Sequence, residues 1–257
     1  MSKKPVTKKE RAYARKIATK TVKTAKKREK LLIVPFNLLS NALEKEFAKS
    51  NKGIIEKLLK TVLQPSMQLQ MFKTWKLNID EFVGYFKDVW GRNITDEQII
   101  TVKSKILDRT LKKEVAKKVT NISDIVEKIL NSRISEMEIA GMSNRDIQKE
   151  IVRITKGEIG TKRAELIARE ETSQAISKTN FEVAKTAGMK KKKWIHVGGG
   201  KSNRPNHLAM DGVLIPIKSK FNVTGYKTTP PAKMDRPKDN TAPAGQVINC
   251  YCQVFYY

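Results

Sequence analysis

Most of the chain between residues 35 and 187 carries apolar side chains at a spacing of three to four residues. This period predicts amphipathic helices that bury one face against each other. Aromatic and aliphatic residues at this spacing are typical of a packed core. The predicted helices cover residues 35–47, 54–63, 78–90, 95–115, 123–140, 143–154 and 161–187.

Local signals predict where these helices begin and end. Pro35 suits a first helical turn. Pro65 is expected to end the second helix, because proline lacks a backbone N–H and clashes with the preceding turn. Gly188 is expected to close the last helix. The residues expected to cap helix starts are Asn78, Thr95 with Gln98, Ser123, and Ser143 with Asp146.

The last predicted helix has a face of small residues with one acid in it. Ala164, Ala168 and Ala175 share this face with Glu171. A buried Glu171 would need a polar partner, because an unpaired carboxylate is costly to desolvate. The alternative is a partly exposed glutamate, and the sequence pattern fits either arrangement.

After Gly188 the pattern changes to short strands. Strands are predicted at 194–197, 213–217 and 253–257, while residues 218–246 hold four of the nine prolines and are predicted to form a long loop. The predicted fold class is mostly α: a helical N-terminal body with a small α+β C-terminal domain. The predicted segments are a basic arm (1–30), a helical body (31–155) and the α+β domain (156–257).

Charge changes the picture most at the two ends of the chain. The net charge is +26, of which residues 1–30 carry thirteen basic against two acidic side chains. Residues 31–155 carry an excess of only +5, and residues 156–257 carry +10. Such a field attracts polyanions, and we expect non-specific contact with DNA phosphates. The residues predicted to contact DNA are Lys3, Lys4, Lys8, Lys9, Arg11, Arg15, Lys16, Lys20, Lys190, Lys191, Lys192 and Lys193.

The first thirty residues have few apolar side chains, which predicts no core-facing stripe. They are expected to be disordered alone or helical against a partner. No stretch of the sequence approaches the roughly 18 apolar residues of a membrane span, so no membrane partner is predicted.

The candidate chemistry lies in the last quarter of the chain. His196, His207, Cys250 and Cys252 are all of its histidines and cysteines, and their types suit a tetrahedral zinc site. The spacing departs from common zinc motifs, so no cofactor is predicted and zinc is the alternative. The thiols are expected to be reduced, packing as small hydrophobic groups if no metal is bound.

Two enzymatic interpretations are weaker. The segment GGGKS at 198–202 lacks the first glycine of a phosphate-binding loop and is followed by Asn-Arg-Pro, so nucleotide hydrolysis is rejected. His207 with Asp211 could act as an acid–base pair in a metal-dependent nuclease or toxin effector. No second carboxylate cluster lies near them in sequence, so the protein is predicted not to be an enzyme, with the nuclease as the alternative.

An ordered set of motifs resembles a known family. These motifs are RAELIAREETSQA (163–175), a tryptophan strand, RPNHLAMDG (204–212) and a terminal INCYC. In this order they resemble the phage head-morphogenesis family, the Mu F-like minor head proteins of tailed phages. Glu170 and the GGGKSN turn depart from the family pattern. The matching residues are Ala164, Ile167, Ala168, Arg169, Glu171, Thr172, Trp194, Arg204, His207, Asp211, Gly212, Asn249, Cys250 and Cys252.

The resemblance implies a structural minor head protein inside the phage head, made in the host cytoplasm during assembly. It implies association with the portal, capsid and scaffold proteins, and a role in head assembly and DNA packaging or delivery. The motif residues would hold the small domain together, with Glu171 accepting a hydrogen bond from Arg204 or His207. A nucleic-acid-binding accessory protein unrelated to capsids is a further alternative.

Overall fold

The computed structural model describes residues 2–47, 52–90, 94–198 and 203–257. Helices dominate the described chain, which confirms the mostly α fold class. The α-helices are α1 (Lys8–Leu32), α2 (Val34–Glu46), α3 (Lys52–Leu58), α4 (Gln64–Trp90), α5 (Asp96–Ile106), α6 (Arg109–Ile139), α7 (Asn144–Ile154), α8 (Gly160–Thr186), α9 (Pro205–Ala209) and α10 (Ala244–Val247). Two π-helical turns, Leu59–Leu63 and Thr155–Ile159, precede α4 and α8.

The strands form a four-stranded antiparallel sheet and a separate hairpin. The sheet has the order β1-β3-β2-β6, so the N-terminal strand pairs with the C-terminal domain. The hairpin pairs β4 with β5. The strands are β1 (Ser2–Lys3), β2 (Lys191–Ile195), β3 (Val213–Pro216), β4 (Phe221–Val223), β5 (Ala232–Met234) and β6 (Gln253–Tyr256).

The chain forms two compact units that are interleaved in sequence. Unit 1 contains the chain up to Ala25, Lys76–Ile106 and Glu170–Tyr257, and unit 2 contains Lys26–Trp75 and Leu107–Arg169. The sequence predicted consecutive segments instead. The difference arises because strand pairing and helix packing bring together parts of the chain that are more than 150 residues apart.

Unit 1 has its core on one face of the sheet. Trp194 and Phe221 are fully buried there, with the hairpin residue Met234 and the C-terminal Tyr256. Successive side chains of a strand lie on opposite faces of a sheet, so the β2 residues on either side of Trp194 lie on the face away from this core. Unit 2 buries Phe36, Leu39 and Leu43 of α2, and α2 contacts α7 through a hydrogen bond from Ser40 Oγ to the Val152 carbonyl.

Several predicted helix ends are confirmed. Thr95 and Gln98 form the capping box, with each backbone N–H donating to the other's side chain. Ser143 accepts from the Asp146 N–H at the start of α7. Gly188 adopts φ +79° just after α8. Ala164, Ala168 and Ala175 are buried on α8, and Glu171 beside them is only 4% exposed, so the partly exposed alternative is wrong.

Other predicted ends are wrong because tertiary packing continues a helix. The helical path does not stop at Pro65; a π-helical turn precedes it, and the proline lies in the first turn of α4, where its missing N–H costs little. Asn78 lies buried in the middle of α4 and donates to Thr172 Oγ1. Ser123 is buried inside α6, whose cap is Asp108.

The N-terminal thirty residues do have a core-facing side. Ala14 and Ile17 of α1 are fully buried, and Thr21, Thr24 and Ala25 are nearly so. The expectation that this segment lacks a buried face is therefore wrong. It counted only large apolar residues, whereas alanine and threonine form most of the buried face of α1.

The predicted loop at 218–246 contains regular structure. The β4–β5 hairpin and the start of α10 lie within it, and Phe221 and Met234 are fully buried. Among the described residues, no helix is both long enough and apolar enough to cross a membrane.

Candidate functional site

The structure brings the two histidines and two cysteines of the chain together. His196 follows the end of β2, and His207 lies in the short helix α9. Cys250 and Cys252 lie just before β6. Three segments that are far apart in sequence therefore meet at one end of the sheet, and the predicted cluster is present although its spacing matches no common zinc motif.

Short sulfur–nitrogen distances define the geometry of this cluster. The Nδ1 atom of His207 lies 3.5 Å from Cys250 Sγ and 3.8 Å from Cys252 Sγ. Cys252 Sγ also lies 3.5 Å from the Nδ1 atom of His196. The donor atoms of His207, Cys250 and Cys252 all lie within 4.8 Å of one another, and these three residues are buried. A cavity of about 10 Å³ lies among them, the size of one water molecule or ion.

A glutamine fixes the orientation of the His207 ring. Gln246 is fully buried, and its Nε2 donates to the carbonyls of Thr224 and Pro230. This leaves Gln246 Oε1 as an acceptor, 2.9 Å from His207 Nε2. The Nε2 atom must therefore carry the proton in the neutral ring, and the lone pair of Nδ1 faces the sulfur atoms. Sequence reasoning missed Gln246, which no local motif marks.

The surroundings favour a negative charge on one of the two thiols, Cys250, and not on the other. A hydrogen bond from Cys252, supported by His207, holds the pKa of Cys250 well below its usual value, although burial acts in the opposite direction. The same pairing and burial raise the pKa of Cys252. The ring of Trp194 lies edge-on to His207, with centroids 5.5 Å apart. Its buried indole N–H reaches no hydrogen-bond partner among the described residues, yet it lies near enough to Cys252 to oppose the rise in pKa.

Asp211 does not pair with His207. Its Oδ1 accepts from the backbone N–H of His196 at 2.8 Å, and its Oδ2 accepts from Arg11 Nη2 at 2.7 Å. The proposed acid–base pair of a nuclease is thus not formed by these contacts. The next residue, Gly212, has φ +79°, and a Cβ there would lie 2.4 Å from the Lys4 carbonyl oxygen, so only glycine fits beside β1.

Glu171 is not without a partner, and its predicted hydrogen bond with Arg204 or His207 stays a prediction. His207 is engaged by Gln246 and the thiols, and Arg204 Nη2 donates to the Ile248 carbonyl. Thr172, the next motif residue on α8, is fully buried and accepts from Asn78. Arg169, also on α8, is not without a partner.

The departure from the family pattern at Glu170 has a structural role. Its carboxylate accepts from the Asn249 N–H at 2.9 Å. Asn249 adopts φ +56°, a left-handed conformation that asparagine tolerates better than most residues. Together these features turn the chain directly before Cys250.

The residues predicted to contact DNA separate into exposed and buried groups. Lys3, Lys4, Lys8, Lys9, Arg15, Lys16, Lys190 and Lys191 are exposed. Lys20 is half-buried, with its ammonium 4.1 Å from the centroid of the Tyr85 ring. Arg11 is partly exposed and bound to Asp211.

Lys192 and Lys193 are not available to DNA, which corrects the prediction. Lys192 is fully buried and donates to the Asp235 carbonyl at 2.6 Å. Lys193 is 4% exposed and forms an ion pair with Glu10 at 2.7 Å. Both lie in β2, a central strand with both faces covered. A lysine run usually lies on a solvated surface, and nothing local in the sequence signals the partners.

The exposed cations of α1 form a continuous stripe. At 100° per residue, they fall within about a third of the helix circumference along about 33 Å of its axis. None of them forms an ion pair within the described residues. The stripe, here called the α1 cation stripe, consists of Lys8, Lys9, Arg15, Lys16, Lys23, Lys26, Lys27 and Lys30. The last four were missed, although their helical spacing is visible in the sequence.

Fold and site together define a class: a mostly helical protein with a small antiparallel sheet and a buried histidine–cysteine cluster. The chain belongs to the Phage Mu protein F like family, which matches residues 112–255. It is therefore a member of a family of phage head proteins.

A curated protein of unassigned function is also similar to the chain. The chain is similar to the uncharacterized protein YqbB of Bacillus subtilis (strain 168), with 25% identity over 212 residues. The match covers 81% of this chain and 59% of the relative. No solved structure matches the chain.

Proposed function

We propose that the protein is a structural minor head protein of a tailed phage, associated with the portal inside the capsid and contacting DNA without sequence specificity. It would act in head assembly and in DNA packaging or delivery. Family membership supports the head assignment. The observation that carries the DNA contact is the α1 cation stripe.

The stripe suits a phosphate backbone for two reasons. Its eight side chains are exposed and form no ion pairs with the described protein, so each is available to neutralise a phosphate. The buried face of α1 holds this helix in place, so no flexible arm has to become ordered when the charges contact DNA. Phosphate contacts of this kind release counterions and carry no base information.

Association with the portal or shell is supported by unit 2. The segment 31–155 that supplies most of it has a nearly balanced charge, which favours contact with protein over contact with DNA. Two large apolar side chains of this unit, Leu69 and Ile139, are 65% and 87% exposed. A bound head protein would remove them from water.

Neutralising the stripe is expected to weaken DNA binding. A variant with Lys8, Arg15, Lys23 and Lys26 changed to glutamine loses four charges on α1 while keeping good helix formers. The plot of log binding constant against log salt concentration should become less steep, with the magnitude of its negative slope reduced by roughly 3 to 4. Fluorescence anisotropy with a short duplex of random sequence, over a range of salt concentrations, measures this slope.

A matched control removes the same charge from another surface. Lys45, Lys57, Lys113 and Lys149 are exposed in unit 2, and their change to glutamine should lower the slope much less. Equal losses in the two variants would show that net charge alone, and not α1, determines binding. Absence of duplex binding by the wild-type protein at low salt would remove the DNA contact from the proposal.

Particle composition tests the head assignment. We expect the chain in both DNA-filled virions and DNA-free heads, at a constant ratio to the portal protein. Quantitative mass spectrometry of the two purified particles gives this ratio. Absence from both would contradict the proposal, while presence only in filled heads would favour entry with DNA over assembly with the portal.

A further inference from the structure

We propose that His196, His207, Cys250 and Cys252 bind one Zn²⁺ ion. The ion would connect the end of β2, helix α9 and the segment before β6 at a single point. This site has a structural role and is independent of the DNA contact.

The sulfur–nitrogen separations match those of a tetrahedral zinc site around His207, Cys250 and Cys252, and His196, which lies close to Cys252 alone, would have to move toward the other two donors to complete it. With Zn–S bonds of about 2.3 Å and Zn–N bonds of about 2.0–2.1 Å, tetrahedral angles place sulfur and nitrogen donors about 3.6 Å apart. The structure has 3.5 Å for His207 with Cys250, 3.8 Å for His207 with Cys252, and 3.5 Å for His196 with Cys252. Ordinary packing of an imidazole against two thiols does not require this convergence.

The ligand that lies at the centre of the cluster is already oriented for metal binding. Gln246 accepts the His207 Nε2 proton and is itself held by two backbone carbonyls, so Nδ1 presents its lone pair to the cluster. A hydrogen-bonded partner on the second ring nitrogen is a common feature of metal-binding histidines. Asn206 also donates to Gln246 Oε1, which fixes the amide further.

The donor set selects the metal. Two thiolates and two imidazoles favour zinc over magnesium or calcium, which prefer oxygen ligands. A two-iron cluster with the same residue types would hold its thiolates and imidazoles on different irons. Here one imidazole nitrogen lies close to both sulfur atoms, so these three donors converge on one centre.

With His196 as the fourth ligand, the ion would have no open position for substrate, which is typical of a structural zinc site. The three segments that carry the ligands have little regular structure of their own near the site. Helix α9 has five residues, and the chain turns at Asn249 with a positive φ. A metal ion would therefore hold this end of unit 1 together.

Metal analysis tests the proposal on the full chain, purified without a histidine tag from cells supplied with zinc. We expect one zinc per chain by inductively coupled plasma mass spectrometry. The double variant Cys250→Ser with Cys252→Ser should contain almost none. Replacing zinc with Co²⁺ should give the intense visible absorption of tetrahedral cobalt bound to thiolates, which a loosely bound surface ion would not give.

Two further variants separate loss of ligand from loss of fold. Met234→Ala removes a fully buried side chain of the core that also contains Cys250 and Cys252 but changes no ligand, and it should keep one zinc per chain. Gln246→Ala keeps all four ligands and should weaken zinc binding by about 10–100-fold. Metal-free wild-type protein, a Cys250–Cys252 disulfide detected by mass spectrometry, or zinc retained by the double cysteine variant would each overturn the proposal.

Discussion

The Glu10→Gln substitution is expected to lower the free energy of unfolding by about 3–5 kcal/mol relative to the wild type. Glu10 and Lys193 form an ion pair with 2.7 Å between Oε1 and Nζ, and their side chains are 4% and 6% exposed. Removing one charge leaves the other buried without compensation, and this cost exceeds the value of the pair itself. Urea denaturation followed by circular dichroism measures the change.

Glutamine is chosen because Glu10 has a second role. Thr7 and Glu10 form a capping box at the start of α1, in which Glu10 Oε2 accepts from the Thr7 N–H at 2.7 Å. Glutamine preserves an acceptor for this cap and removes only the charge. The predicted loss therefore reports the ion pair and not the helix start.

A double variant provides the matched control. Lys193→Met alone should also be strongly destabilising, because it leaves Glu10 buried and charged. Glu10→Gln combined with Lys193→Met should lose much less than the sum of the two single losses, because no unpaired charge remains. Additive losses would show that the two side chains are not coupled and would disprove the buried pair.

Lys192 is expected to make the stability of the protein rise with pH between about 8 and 10. Burial lowers the pKa of Lys192 from its usual 10.5 to about 8, although nearby Asp235 acts in the opposite direction. In this pH window the folded protein has released the proton while the unfolded chain still holds it. The unfolded state binds more protons, so the free energy of unfolding increases with pH, by about 2 kcal/mol over the window.

The destabilisation from charged Lys192 is fully present below pH 8 and is relieved as the pH approaches 10.5. The comparison should stop near pH 10, because burial raises the pKa of Tyr13 and Tyr256 above their usual range, and these groups reduce stability at higher pH.

The Lys192→Met variant isolates this effect. It removes the titrating group, and its lost hydrogen bond to the Asp235 carbonyl affects stability equally at all pH values. The difference in unfolding free energy between wild type and Lys192→Met should therefore change by about 2 kcal/mol from pH 8 to pH 10. Lys218→Met, at an exposed position, should show no such change. A constant difference for Lys192→Met would mean that Lys192 keeps its proton in the folded protein.

The sequence was most informative where the signal is local. The capping box at Thr95 and the cap at Ser143 need only neighbouring residues, and both are confirmed. The small-residue face of α8 follows from helical spacing alone. Residue types also identified the four donors of the histidine–cysteine cluster, because the chain has no other histidine or cysteine.

Local reasoning failed where a distant partner decides the outcome. Lys193 belongs to a run of four lysines that suggests a solvated surface, and only the return of α1 brings Glu10 to it across 183 residues of chain. Asn78 and Ser123 have the chemistry of caps, but packing buries both inside long helices.

What the sequence determined by itself was the helical class, the C-terminal strands, the family pattern and the inventory of chemical groups. Only the tertiary structure decided that the N-terminal strand and helix belong to the C-terminal sheet, and that Gln246 orients His207. The physical reason is that periodicity records which face of an element is buried, whereas contacts between distant segments depend on how those faces pair in space.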